Sequence, residues 1–332
     1  MSRAQLTSTV EQNTGGAVAP FVAGKNFLAN GAMELAQRGT SQSLGTGNAY
    51  GLDRWFTTGF GSGQAFTVAQ GTSNPPTGFR YYQSITQSSA SSTNYFIAQF
   101  LETSDVLRMA GKTVTLSYLY KIPTNFSSAW TVTAYYSTAT DGNLAPYNTR
   151  TSIASSTLTN TTSWTAGNPL TFTVPSNATS FSIEFGNSNS TVNGANFQFT
   201  GVQLELGSVA TPFSRTGATL QGELALCQRY YYKSITGIAG AAAYTGITRG
   251  IANYNGARTS LSAWLPVTMR TTPSATIYSP QTGASGKIYD EDSSTDVSAT
   301  IYGSYPAVIS QVDTGVSAGH SVVAYFIASA EL

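Results

Sequence analysis

In the segment Lys112–Lys121, KTVTLSYLYK, every second residue from Val114 to Tyr120 is apolar, so Val114, Leu116, Tyr118 and Tyr120 fall on one face. A period of two is what a half-buried strand requires, and a helix does not supply it. The same text recurs along the chain. Gln64–Gln70 (QAFTVAQ), Trp130–Tyr136 (WTVTAYY) and Phe181–Phe185 (FSIEF) alternate likewise, and Arg80–Ile85, Asn94–Leu101, Leu170–Val174 and Asn196–Leu206 (NFQFTGVQLEL) read as further strands. Clusters of Gly, Asn, Pro and Ser punctuate them, GTSNPPTG at Gly71–Gly78 most clearly. Short strands at this spacing predict an all-β protein, with a jelly-roll β-sandwich of roughly eight strands over residues 25–215.

Three more segments flank that sandwich. Residues 1–24, broken by Gly15, Gly16, Pro20 and Gly24, read as an extended arm, either a loose terminus or a docking segment ordered by a partner surface. Residues 216–235 read as a linking helix. Leu220, Leu224, Cys227 and Tyr231 recur there at spacings of four, three and four, one stripe of a helix about four turns long over 219–233. The stripe either packs on the chain's own sandwich or is a subunit contact. Residues 236–332 return to short β text (247–254, 261–269, 275–278, 287–290, 299–302, 308–312 and 321–328) and predict a second, smaller β domain.

Composition narrows the partners. Charged residues make up 9% of the chain, against roughly 25% in an average soluble protein. Hydroxyls and amides take their place on the surface. Net charge is +1, and basic residues such as Arg38, Arg54, Arg80 and Arg108 lie singly, so no patch exists for a phosphate backbone and no nucleic-acid partner is expected. No run approaches the roughly 18 apolar residues of a membrane span. The start of the chain is polar and lacks a signal-peptide pattern, so the expectation is synthesis in a cytoplasm without entry to the general secretory route.

Reactive chemistry is sparse. His320 is the only histidine and Cys227 the only cysteine, which excludes a histidine- or cysteine-rich zinc site and an intrachain disulfide. There is no phosphate loop and no dinucleotide fingerprint. Carboxylates are scattered except at Asp290, Glu291, Asp292 and Asp296 (YDEDSSTD). That cluster is either a Ca²⁺ ligand set or an acidic surface turn; it lacks the glycine and closing glutamate of an EF-hand loop. No cofactor and no catalytic residue is expected, so the chain reads as a binding or structural protein and not an enzyme. Aromatic residues are the better lead, with 19 Tyr, 16 Phe and 4 Trp. Rings beside amides suit neutral sugars. Trp55, Tyr81, Tyr82, Tyr95, Trp130, Tyr135, Tyr136 and Trp164 are glycan-contact candidates, although alternation must turn about half of them inward.

Three stretches carry a family resemblance: Asn26–Trp55, opening NFLANGAMELAQRGTS and ending LDRW; Phe199–Tyr232, FTGVQLELGSVATPFSRTGATLQGELALCQRYYY; and Leu265–Tyr278, LPVTMRTTPSATIY. Together they resemble bacteriophage tail-fibre and related virion structural proteins whose jelly-roll is like that of carbohydrate-binding modules. The resemblance implies a virion protein, commonly a homotrimer, without a cofactor. A tail fibre or receptor-binding component gripping host-surface polysaccharide is the leading expectation for host attachment, with the arm docked on other virion proteins. The alternatives are an architectural part (tail adaptor, fibre anchor or capsid decoration) and, further off, a polysaccharide depolymerase. The residues themselves predict that Met33 and Leu35 enter the core with Trp55, that Arg38 or Arg54 pairs with Asp53 or Glu34, and that Val202, Leu204 and Leu206 share one strand face.

Overall fold

Alternating segments become two facing antiparallel sheets. The computed structural model describes residues 24–44, 47–60, 65–88, 93–124, 126–142, 150–235, 247–252, 260–303, 307–312 and 315–332. Apart from Gly24, the arm predicted over 1–24 lies outside them. The first domain runs through β1 (Ser41–Leu44), β2 (Gly47–Tyr50), β3 (Phe56–Phe60), β4 (Phe66–Gly71), β5 (Tyr82–Gln87) and β6 (Thr93–Leu101). A helix, α1 (Thr103–Met109), precedes β7 (Thr113–Thr124), β8 (Trp130–Ser137) and β9 (Thr151–Thr157). β10 (Thr165–Ala166), β11 (Leu170–Thr173), β12 (Ser180–Ser190) and β13 (Asn196–Leu206) complete it. One sheet has the order β1-β4-β5-β13-β7-β10, with β11 also on β7; the other has the order β2-β3-β6-β12-β8-β9. This is a jelly-roll β-sandwich.

Its core follows from alternation. Val114, Leu116, Tyr118, Tyr120 and Ile122 of β7, with Phe197 and Phe199 of the neighbouring β13, face Phe181, Ile183 and Phe185 of β12 across the sandwich. Trp130 stacks on Phe197 with ring centroids 4.1 Å apart, and Trp55 meets Phe199 edge-on at 5.2 Å. Each such large side chain contributes about 1.5–3 kcal/mol by leaving water. Met33, Trp55, Val202 and Leu204 are buried as the sequence predicts. Leu206 is not: at the strand's end, past an irregularity between Thr200 and Gln203, it is exposed. The helix α1 has no forecast in the sequence; Val106 and Met109, three apart, anchor it to the core.

The linking helix is shorter than its stripe. α2 spans Leu220–Gln228, with Thr219 as N-cap accepting a hydrogen bond from the Gly222 amide at 3.0 Å. Tyr231–Lys233 leave it to form β14, which pairs with the C-terminal strand at Tyr231↔Ser329. Long-range pairing thus overrides the local period. Leu224 and Cys227 pack on Ala29 and Leu35 of the chain's own sandwich, Tyr231 is buried at the domain junction, and of the four stripe residues only Leu220 is exposed.

The second domain continues with β15 (Thr248–Ile251), β16 (Ser260–Trp264), β17 (Ser274–Tyr278), β18 (Lys287–Asp290), β19 (Thr295–Gly303), β20 (Ala307–Val312) and β21 (Ser321–Ser329). β21 is its spine, bonded to β14, β15, β17 and β18, and β19, β20 and β16 follow from β18. Ile277, Ile288, Val322 and Phe326 fill a separate core.

A polar clasp joins the domains. Arg54, which has φ of 69°, lies with its guanidinium 3.3 Å over the Tyr230 ring. It donates to Glu331 Oε2 at 2.7 Å and to the Phe100 carbonyl at 2.6 Å. Arg38 bridges Asp53 at 3.3 Å and Glu331 at 2.7 Å and covers the Tyr231 ring at 3.6 Å. Arg229 makes a bidentate pair with Glu102. Arg270 donates to the carbonyls of Ala330 and Glu331 within the second domain and reaches Asp141 of the first at 3.6 Å. Glu34, in contrast, pairs with Arg215. Asn30 knits the strands behind the clasp: its side chain bonds Leu35 and the Asp53 carbonyl, and its amide donates to Glu223.

Candidate functional site

The outer face of the seven-stranded sheet gathers the features a neutral polar ligand needs. Phe197 and Phe199 of β13 and Ile85 of β5 point inward, so Asn196, Gln198, Ser84 and Thr86 must point outward. They sit side by side, because Gln198 pairs with Ser84 on one flank and Lys121 on the other, and Asn196 pairs with Thr86. Asn196 Nδ2 donates to Ser84 Oγ at 2.8 Å and Thr86 Oγ1 at 2.7 Å, while Gln198 Nε2 donates to Asn196 Oδ1 at 2.8 Å. The amides are therefore held in fixed orientation, half exposed.

Two rings border this row. Tyr82, only 7% exposed and so closed to direct stacking on a glycan, meets the half-buried Trp164 edge-on with centroids 5.3 Å apart. Both are tied to the loop after β4: Tyr82 OH donates to the Ser73 carbonyl at 3.2 Å and Trp164 Nε1 to the Asn74 carbonyl at 2.8 Å. Gly71 makes the arrangement possible, since a Cβ there would run into the Tyr82 ring. Burial raises the Tyr82 phenol pKa above its ordinary value, so it stays a neutral donor and acceptor.

The other aromatic candidates lie elsewhere. Trp55 and Trp130 are wholly inside the core and cannot meet a glycan, and Tyr81 and Tyr136 pack partly buried against it. Tyr135 stands on the opposite sheet with the Arg150 guanidinium 3.8 Å over its ring; Arg150 in turn grips the buried Glu184 at 2.5 Å. Burial raises the Glu184 pKa, against the pull of Arg150. Tyr95 lies in β6, but its side chain is outside the described residues. Alternation in β5 and β13 could have flagged the outward polar row; nothing in the sequence signals that Trp164, some eighty positions away, would border it.

The acidic cluster assembles differently from the sequence expectation. Asp290 and Asp292 come together with His320, their ligating atoms within 4.8 Å of one another, while Glu291 pairs with Arg249 and Asp296 bonds Thr282. The four-carboxylate set therefore does not form, because the hairpin after β18 turns successive side chains in different directions. Asp290 Oδ1 instead accepts from the amides of Asp292 and Ser293, and its Oδ2 lies 2.8 Å from His320 Nδ1. Burial alone would raise the Asp290 pKa; the bonds from His320 and Ser293 outweigh it and hold it below the ordinary value. This is the arrangement of a satisfied turn.

A jelly-roll sandwich with an aromatic-and-amide outer face, fused to a smaller β domain, is thus the class that fold and site define. Neither a protein-family model nor a curated protein matches the chain. Solved structures similar to it include a family 4 carbohydrate-binding module, 17% identical over 54% of this chain and 98% of that one, at TM-score 0.34. A family 11 carbohydrate-binding module of a Clostridium thermocellum cellulosomal cellulase is 12% identical over 50% of this chain and 98% of its own, at TM-score 0.33. A family 61 module in complex with β-1,4-galactotriose is 11% identical over 55% of this chain and 99% of that one, also at 0.33. Among the described residues no helix is long and apolar enough to cross a membrane, which says nothing about strands.

Proposed function

We propose that the protein binds carbohydrate through the outer face of its seven-stranded sheet, as a non-enzymatic structural component of a phage particle. The observation that carries the binding reading is the Tyr82–Trp164 pair beside the oriented Ser84, Thr86, Asn196 and Gln198 row. The Trp164 ring, held edge-on by the buried Tyr82, takes the C–H face of a sugar, and fixed amides pair with its hydroxyls. The virion reading, with a tail fibre or receptor-binding role as a homotrimer, is supported by the three stretches quoted above. An architectural role has an observation of its own. Arg38, Arg54 and Arg270, all from those stretches, reach across between the two domains, and Arg229 ties the linking helix to the sandwich.

The test is retention of the purified protein on immobilised host-surface polysaccharides and on a glycan array, with Trp164→Ala beside the wild type. Retention that falls at least tenfold in Trp164→Ala supports the reading. Equal retention by both, or none by the wild type on any host glycan, refutes it and leaves the architectural role. Sedimentation at micromolar concentration checks the trimer: a 35 kDa monomer rejects it.

A further inference from the structure

We propose that the outer face of the seven-stranded sheet selects an acidic glycan, with one charged group of the sugar (a carboxylate, a sulfate ester or a phosphodiester) set against Lys121. The inference rests on the carbohydrate reading of that face and adds the class of sugar it takes.

Lys121 is the one Lys or Arg in the strands of this sheet. Val114, Leu116, Tyr118, Tyr120 and Ile122 of β7 point into the core, so alternation turns Lys121 outward. Register sets it between the polar row and the ring. On one flank it pairs with Gln198; on the other its neighbour Tyr120 pairs with Thr165, the residue after Trp164. Lys121 is half-buried and makes no hydrogen bond or ion pair with any described residue.

That is unusual in this protein. Charged residues are 9% of the chain, and Arg38, Arg54, Arg150, Arg215 and Arg229 each meet a carboxylate. The only carboxylate in the strands of this sheet is Glu205 of β13. It sits past the irregularity between Thr200 and Gln203, is 3% exposed and pairs with Lys25 at 3.9 Å. No described carboxylate therefore neutralises Lys121.

The neutral groups beside it are turned as donors. The Ile85 carbonyl can only accept, so it fixes Asn196 with Nδ2 toward it, at 3.2 Å. The same Nδ2 donates to the hydroxyls of Ser84 and Thr86. A hydroxyl that accepts from an amide keeps its own hydrogen for a ligand. Gln198 Nε2 gives one hydrogen to Asn196 and keeps the other. An uncommitted ammonium among hydroxyl and amide donors matches a ligand rich in acceptors and carrying negative charge. A neutral sugar satisfies the hydroxyls and amides; an acidic one also gives the ammonium a charge-assisted hydrogen bond.

Retention of the full chain on immobilised polygalacturonate, dextran sulfate and phosphomannan tests the selection. Each is set beside its uncharged counterpart (methyl-esterified polygalacturonate, dextran and dephosphorylated mannan), which tells the three acidic groups apart. The wild type is expected to be held more tightly by at least one acidic polymer than by its counterpart, and added salt should narrow the gap. Lys121→Gln, with an unchanged near-UV spectrum, should lose roughly three- to tenfold on that polymer and nothing on neutral ones. Lys287→Gln, which removes the same charge from β18 of the second domain, should lose nothing. Equal retention on every acidic polymer and its counterpart overturns the proposal. So does full retention by Lys121→Gln, or an equal loss in Lys287→Gln. Retention on neutral polymers alone, lost in Trp164→Ala, would sink this inference and leave the carbohydrate reading standing; no retention on any polymer would remove both.

Discussion

Replacing Arg54 by methionine should cost about 3–5 kcal/mol, the usual penalty for stripping one partner from a buried ion pair. The side chain is 2% exposed and serves three groups at once: the Glu331 carboxylate, the Phe100 carbonyl and the Tyr230 ring. Taken singly, a desolvated cation–π contact is worth roughly 2 kcal/mol and a charged hydrogen bond roughly 1.5–3 kcal/mol. These do not add, because one charge supports all of them and methionine keeps part of the packing. The backbone does not confound the measurement, since the φ of 69° is carried by arginine and methionine alike.

Urea denaturation followed by circular dichroism and tyrosine fluorescence reads the effect. The wild type should unfold with the domains coupled. In Arg54→Met the second domain should melt at lower urea, splitting one transition into two. Glu331→Gln in the same background completes a double-mutant cycle. Glu331 keeps Arg38 at 2.7 Å, so the double variant should lose about 1–3 kcal/mol less than the sum of the singles. A cost for Arg54→Met below about 1 kcal/mol, or a cycle additive to within about 0.5 kcal/mol, would refute the clasp.

Three further outcomes are expected. Gly222→Ala should lower the melting temperature although alanine is the better helix former by about 1 kcal/mol, because a Cβ at Gly222 would run into the Gly217 carbonyl; a rise in melting temperature would contradict that close approach. Asp290 has a folded pKa below its unfolded value near 3.9, so its stabilisation is present above that value and is lost as pH falls through the lower folded one. Melting of the second domain should show this acid dependence and Asp290→Asn should flatten it. Burial holds the Cys227 thiol well above its usual pKa, so it should resist a thiol reagent such as DTNB at mildly alkaline pH until denaturant is added, and rapid native labelling would contradict its place on the buried face of α2.

The sandwich was legible because a period of two is local. Asn196–Leu206 is a strand with the bounds read from the sequence, and Lys112–Lys121 falls within β7 apart from its first residue. Faces were less legible. Trp55, Trp130 and Trp164 look alike in sequence, each a large ring among polar neighbours, and only the fold tells that the first two fill the core. The linking helix misled for a related reason. Tyr231 continues an apolar stripe, but its backbone is claimed by Ser329, nearly a hundred residues on. His320 likewise meets Asp290 across thirty positions that no spacing rule connects.

The stretches that carry the family resemblance therefore deserve a structural explanation before a functional one. Asn30, Asp53 and Arg54 come from the first, Glu223, Arg229 and Tyr230 from the second, and Arg270 from the third. They converge on one junction. A buried guanidinium stacked on a ring tolerates no lysine in its place, since the planar fork is what reaches Glu331 and Phe100 together. Such a junction constrains its sequence tightly whatever the outer faces bind. The outer row of Ser84, Thr86, Asn196 and Gln198 is under no comparable packing constraint, because half-exposed polar side chains on a strand can change without disturbing the core. The side chains of the sheet face can then vary while the clasp preserves how the two domains are held.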